Sequence, residues 1–188
     1  QREFVSGMAE VVKYGVIWDA ELFGMLESSV DAILARDDEV VSRIVARSCE
    51  IKAEVVHMDE RESGVRAILN FGHTLGHAVE VVAGYERWLH GEAVAVGIDY
   101  ALRLSVSQKR MAVADANRVR ALQAQFGLPG LAHPDVAALP WPALRQAMGA
   151  DKKPVAGTPR FVLAEKLGAV SFGCEVSEAD LERAFKEG

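Results

Sequence analysis

Only two cysteines, Cys49 and Cys174, occur in 188 residues. That excludes a disulfide framework and a cysteine-rich zinc site, and points to a reducing, cytoplasmic setting. No proline precedes Pro129, so nothing in the chain up to that point forbids long helices. No apolar run approaches the roughly 18 residues that a transmembrane helix needs, which argues against a membrane partner. Blocks of Lys and Arg are also missing. The 27 acidic residues outnumber the 21 basic ones, for a net charge of −6, and nucleic acid is not an expected partner. No glycine-rich phosphate loop follows a strand, so a complete Rossmann unit is not expected. The first residues, Gln1-Arg2-Glu3-Phe4, do not read as a signal peptide.

What is present is an ordinary globular composition, half of it hydrophobic. Its length suits one domain, or one domain with an appendage. The spacing of apolar residues predicts a mainly α protein. Ser6 is expected to cap a first helix running to about Ile17, and Asp19 to open a second. A long helix is expected over Asp38 to Met58, where Val40, Val41, Ile44, Val45, Cys49, Ile51, Val55 and Val56 recur at threes and fours. Further helices are expected from Val65 to Ala83, stopping near Gly84, from His90 to Val106, and from Asp115 to Phe126 before Gly127. A proline-marked loop then leads to a short helix near Ala143 to Met148. Arg160 to Leu163 and Ala169 to Phe172 read as a hairpin about Glu165-Lys166-Leu167-Gly168. Ser177, with Asp180 three residues on, caps a terminal helix.

The Val65 to Ala83 segment carries the chemistry. Arg66, Asn70, His73, His77 and Glu80 are spaced four, three, four and three residues apart. At about 100° per residue they share an arc of roughly 80° in an otherwise apolar helix. A lone histidine there would be a hydrogen-bonded core residue. Two at i and i+4, in His73-Thr-Leu-Gly-His77, put both imidazoles on one side, within reach of one ion. His90, at a helix start in Leu89-His90-Gly91-Glu92, offers a third imidazole or simply a cap. Glu10 and Lys13 lie one turn apart, either as a surface ion pair or as a carboxylate and an amine in a site. Two histidines and a carboxylate with an open position form a usual catalytic zinc set. Lys13, Lys52, Arg66, Lys152 and Lys153 are basic groups that would suit a phosphate or carboxylate if they converge. For Lys153 and the Asp59 to Glu62 run, a solvated loop is the competing reading.

These motifs together resemble 3-dehydroquinate synthase. The matching stretches are Gly7-Met8-Ala9-Glu10-Val11-Val12-Lys13-Tyr14-Gly15, Ile51-Lys52-Ala53-Glu54-Val55-Val56 and Asp59-Glu60-Arg61-Glu62. They continue with Leu69-Asn70-Phe71-Gly72-His73-Thr74-Leu75-Gly76-His77-Ala78, His90-Gly91-Glu92-Ala93-Val94-Ala95-Val96-Gly97 and Asp151-Lys152-Lys153. The resemblance implies that residues 1–188 form a C-terminal helical domain of that type, with the NAD-binding N-terminal domain absent from this chain. It implies metal ligands at Glu10, His73 and His90, with zinc or cobalt as the ion. His77 then serves proton transfer rather than ligation, and Lys52, Arg66, Asn70 and Lys152 contact substrate, with Lys13 and Glu62 in or beside the site. The implied reaction is a carbon–oxygen lyase step of the shikimate pathway. It converts 3-deoxy-D-arabino-heptulosonate 7-phosphate to 3-dehydroquinate and phosphate, with NAD as hydride carrier. The implied partners are the sugar phosphate substrate, the N-terminal domain and a second copy in a homodimer. Three alternatives stand beside it: a related sugar phosphate cyclase, a glycerol dehydrogenase-like metal-dependent enzyme, and a non-catalytic helical metal-binding or dimerisation module.

Overall fold

The computed structural model describes residues 1–60, 64–84, 87–150 and 159–187. Its helices are α1 (Arg2–Ile17), α2 (Ala20–Ser28), α3 (Val30–Leu34) and α4 (Asp38–Met58). After a 3-10 helix (Val65–Asn70) come α5 (His73–Ala83), α6 (His90–Ser107), α7 (Val113–Phe126), α8 (Pro134–Ala137) and α9 (Trp141–Ala150). Strands β1 (Phe161–Lys166) and β2 (Ala169–Cys174) precede α10 (Glu178–Lys186). The expected mainly helical fold with one late hairpin is therefore what forms. No helix among the described residues is long and apolar enough to cross a membrane.

Several helix ends follow from local chemistry. Asp19 caps α2 by accepting the Glu21 and Leu22 N–H groups at 3.0 and 2.9 Å, and its other oxygen takes Arg47 Nε at 2.6 Å. Asp37 caps α4 in the same way, and Ser177 caps α10 by accepting Asp180 N–H. Gly127 closes α7 in the left-handed region, at φ 79°.

Ser6 is not the start of α1. The helix begins four residues earlier, and Ser6 lies inside it, where its hydroxyl accepts the Gly91 N–H at 3.1 Å. A larger correction concerns Val65 to Ala83, which is not one helix. The 3-10 turn ends at Asn70, Phe71 is extended, and Gly72 adopts φ 79° before α5 starts at His73. The break has a packing cause. A Cβ at Gly72 would lie 2.8 Å from the Ile98 side chain and 3.0 Å from the Val94 carbonyl oxygen, so the chain turns where only glycine fits. The hairpin turn is also tighter than expected. Both strands extend further, leaving Leu167-Gly168, with Gly168 at φ 79° and its N–H donated to Val16 O of α1 at 2.9 Å.

Two hydrophobic clusters share one spine. Val94, Ala95, Ile98, Ala101 and Leu102 of α6 pack with α1, α2, α4 and α7. Ala93, Val96, Tyr100 and Leu104, on its other face, pack with α5, α9 and α10. Strand β1 divides similarly by its two-residue period, with Val162 and Ala164 in the first cluster and Phe161 and Leu163 in the second. Ser105 joins helix to strand, donating to Ala101 O and accepting Ala164 N–H at 2.9 Å. The first residue of the spine is His90.

Candidate metal centre

Three helices deliver the site. Glu10 and Lys13 come from mid-α1, His73 and His77 from the first turns of α5, and His90 from the first turn of α6. The α5–α6 crossing is close because glycines line it. A Cβ at Gly97 would collide with the Gly72 carbonyl oxygen, and one at Gly76 would lie 3.1 Å from Ala93 O. That proximity brings the three rings together. The centroids of His73 and His77, and of His73 and His90, are 5.4 Å apart, and those of His77 and His90 are 6.0 Å apart.

Ligand atoms of Glu10, His73 and His90 all lie within 4.8 Å of one another. Lys13 Nζ donates to Glu10 Oε2 at 2.7 Å, and the lysine side chain is only 3% exposed. The surface-pair reading of Glu10 and Lys13 is therefore wrong, because this ion pair is largely buried. The second oxygen, Glu10 Oε1, is buried and accepts no hydrogen bond among the described residues. It faces His73 Nε2 at 3.6 Å. On the far side of that ring, Nδ1 is 3.1 Å from Phe71 O, so Nδ1 carries the proton and Nε2 turns a lone pair toward a carboxylate oxygen. Two lone pairs facing across 3.6 Å in a partly dry site suit a cation between them. The donor set, two imidazoles and a carboxylate, fits a divalent transition metal.

The electrostatics agree. Burial pushes the His73 imidazole down, the Lys13 charge adds to the effect, and its pKa falls to about 4. His73 is thus neutral near pH 7, the form that ligates. Burial pushes the Glu10 carboxyl up. The Lys13 ammonium outweighs this, with His73 and His90 contributing, and holds the group below its ordinary range. Burial lowers Lys13, Glu10 opposes that, and the Lys52 charge lowers it further, which places Lys52 within electrostatic reach of the site.

The other expected residues lie on neighbouring elements or outside the described residues. Asn70 ends the 3-10 turn and is exposed. Arg66 is half-buried, and its backbone N–H donates to Asp59 Oδ2 at 3.1 Å. Glu62, Lys152 and Lys153 lie outside the described residues. One participant had no assigned role. Glu80 meets His90, with Oε1 3.1 Å from Nδ1. Its signal was its place in the polar stripe, one turn beyond His77.

Comparison with known proteins follows the same lines. A 2-epi-5-epi-valiolone synthase from Streptomyces hygroscopicus subsp. jinggangensis, solved with NAD+ and Zn2+ bound, superposes with a TM-score of 0.85. It is 25% identical, over 97% of this chain and 50% of that one. A 2-deoxy-scyllo-inosose synthase solved with carbaglucose-6-phosphate, NAD+ and Co2+ shares the fold at a TM-score of 0.80 and 21% identity, over 100% and 52% of the two chains. The architecture is thus that of one half of a sugar phosphate cyclase. Within that class the sequence is more specific. Residues 7–154 match the 3-dehydroquinate synthase C-terminal family, and the chain belongs to it. The 3-dehydroquinate synthase of Thermodesulfovibrio yellowstonii is 42% identical over 187 residues, covering 100% of this chain and 51% of the relative. That of Picosynechococcus sp. is 47% identical over 182 residues, covering 96% and 49%. The chain spans about half the length of the curated relatives it matches.

Proposed function

We propose that this chain is the metal- and substrate-binding half of a 3-dehydroquinate synthase. Joined to an NAD-binding half, it would convert 3-deoxy-D-arabino-heptulosonate 7-phosphate to 3-dehydroquinate and phosphate. The observation that carries the reading is the orphaned Glu10 Oε1 facing His73 Nε2, with His90 in reach. Glu10, His73 and His90 hold the divalent ion, and Lys13 keeps Glu10 ionised. The ion supplies Lewis acidity to substrate hydroxyls, and NAD supplies reversible hydride chemistry.

His77 lies one turn along α5 from His73 and offers a nitrogen for proton transfer. Lys13 and Lys52 give positive charge beside the carboxylate, and Arg66, Asn70, Glu62 and Lys152 complete the substrate contacts. His73 and His90 each open a helix, so two positive dipole ends meet where an anionic sugar acid would sit. In the whole enzyme, two such assemblies form the homodimer.

The test is phosphate release from 3-deoxy-D-arabino-heptulosonate 7-phosphate, with NAD and zinc or cobalt supplied. The chain is assayed alone and mixed with a separately expressed NAD-binding half. Activity in the mixture alone is expected. Bound metal without phosphate release in the mixture would instead favour a valiolone- or inosose-forming cyclase, the reading that the structural likeness supports second.

A further inference from the structure

The two histidines of the centre are held differently. His73 is largely buried, its side chain 14% exposed, and its Nδ1 donates to the fixed backbone oxygen of Phe71. The His90 side chain is 51% exposed, so packing does little to choose its ring orientation. What reaches its Nδ1 is Glu80 Oε1, at 3.1 Å, from a carboxylate only 12% exposed and anchored on α5.

We propose that Glu80 is the positioning residue of the metal centre: its carboxylate holds His90 through Nδ1 and turns Nε2 toward Glu10 and His73. The inference rests on the metal reading above. A neutral imidazole that donates Nδ1–H to an oxygen presents a lone pair at Nε2, and a carboxylate acceptor also makes that nitrogen a stronger donor to a cation. Without Glu80, a half-exposed ring on the first residue of a helix rotates and exchanges tautomers. Its share in the centre then costs entropy on every binding event.

The placement of Glu80 on α5 suits that role. Glu80 is seven residues beyond His73, two turns down the same face of α5, while His90 approaches from α6. The pair therefore spans the helix crossing. His77, Glu80 and His90 also lie close enough to form a set of their own, with ligand atoms within 4.8 Å. An ion there would draw on the Glu80 carboxylate and the His90 ring that the hydrogen bond already joins. One ion per chain is the expected stoichiometry.

The experiment compares the parent chain with Glu80→Leu and Glu80→Gln. Zinc affinity is read by competition with a chromophoric chelator, and geometry by the visible absorption of the Co2+ form. Glu80→Leu should weaken zinc by about 10–100-fold and change the Co2+ spectrum. Glu80→Gln, which still accepts from Nδ1–H, should recover most of the affinity and the parent spectrum. A merely structural carboxylate would lower the metal-free melting temperature and leave both metal readouts unchanged, which overturns the proposal. Two ions in the parent with one lost in Glu80→Gln would make Glu80 a ligand and overturn it too. No ion bound by the parent would overturn the metal reading itself, whereas parent binding with Glu80→Leu unaltered would sink the Glu80 assignment alone.

Discussion

His73 carries a cost that depends on pH. Its imidazole sits at about 4 in the folded chain, against 6.5 when unperturbed. Between those values the unfolded chain takes up a proton that the folded chain refuses, so acid favours unfolding. At pH 5 the metal-free protein should have lost about 2 kcal/mol from this group, with no contribution above about pH 7. Urea titrations at the two pH values measure the loss, and His73→Gln should remove most of the difference. The same residue separates ligation from proton transfer. His73→Ala, Glu10→Ala or His90→Ala should abolish stoichiometric zinc, whereas His77→Ala should keep zinc and lose turnover in the reassembled enzyme. Zinc loss in His77→Ala, read by equilibrium dialysis, would make His77 a ligand after all. Much of this was legible in the residues: the i, i+4 pair of histidines is visible without any fold. That Glu10 belongs with them was legible through the resemblance of the whole motif set but not through spacing, since an acid and a lysine three apart on a helix look the same on a surface as in a site. Burial against α5 and α6 is what separates the two physically.

At the scale of elements, the site depends on how closely two helices cross. Gly72, Gly76 and Gly97 remove the side chains that would separate α5 from α6. Gly97→Ala should therefore destabilise the fold by about 1–3 kcal/mol or more, because the methyl group meets backbone rather than a flexible side chain. It should also weaken zinc binding by moving His90 away from His73. Chemical denaturation checks the first effect and chelator competition the second. Ala substituted at exposed Gly7, whose added Cβ meets nothing within 4 Å, should do neither. The element boundaries show where local reading stops. Asp19 and Ser177 announce their helices through side-chain caps, and Gly127 announces a stop. The break at Phe71 and Gly72 has no such announcement, because the apolar period runs through it. Contact with α6, far along the chain, decides that Gly72 turns left-handed and restarts the helix. The five-residue polar stripe thus divides into two pieces, and His73, His77 and Glu80 share α5 while Arg66 and Asn70 lead into it.

Over the whole molecule, α6 belongs to both hydrophobic clusters, and β1 alternates between them. Tyr100 extends the spine to the end of the chain, its buried hydroxyl donating to Leu181 O of α10 at 2.9 Å. Asp99 ties it to α7 and the following loop through Arg120 Nε at 2.6 Å and Leu131 N–H at 3.0 Å. Neither cluster can open without stripping one face of that helix, so the two should melt as a single cooperative unit. The amide protons at the middle of α6 should then exchange with deuterium only through global opening, at the slowest rate in the chain, while the ends of α4 exchange quickly. In the proposed centre, zinc would be gripped at the head of this same helix. Its escape and the slowest amide exchange should respond together to denaturant, so that the ion's off-rate becomes a clock for the unfolding of the entire domain.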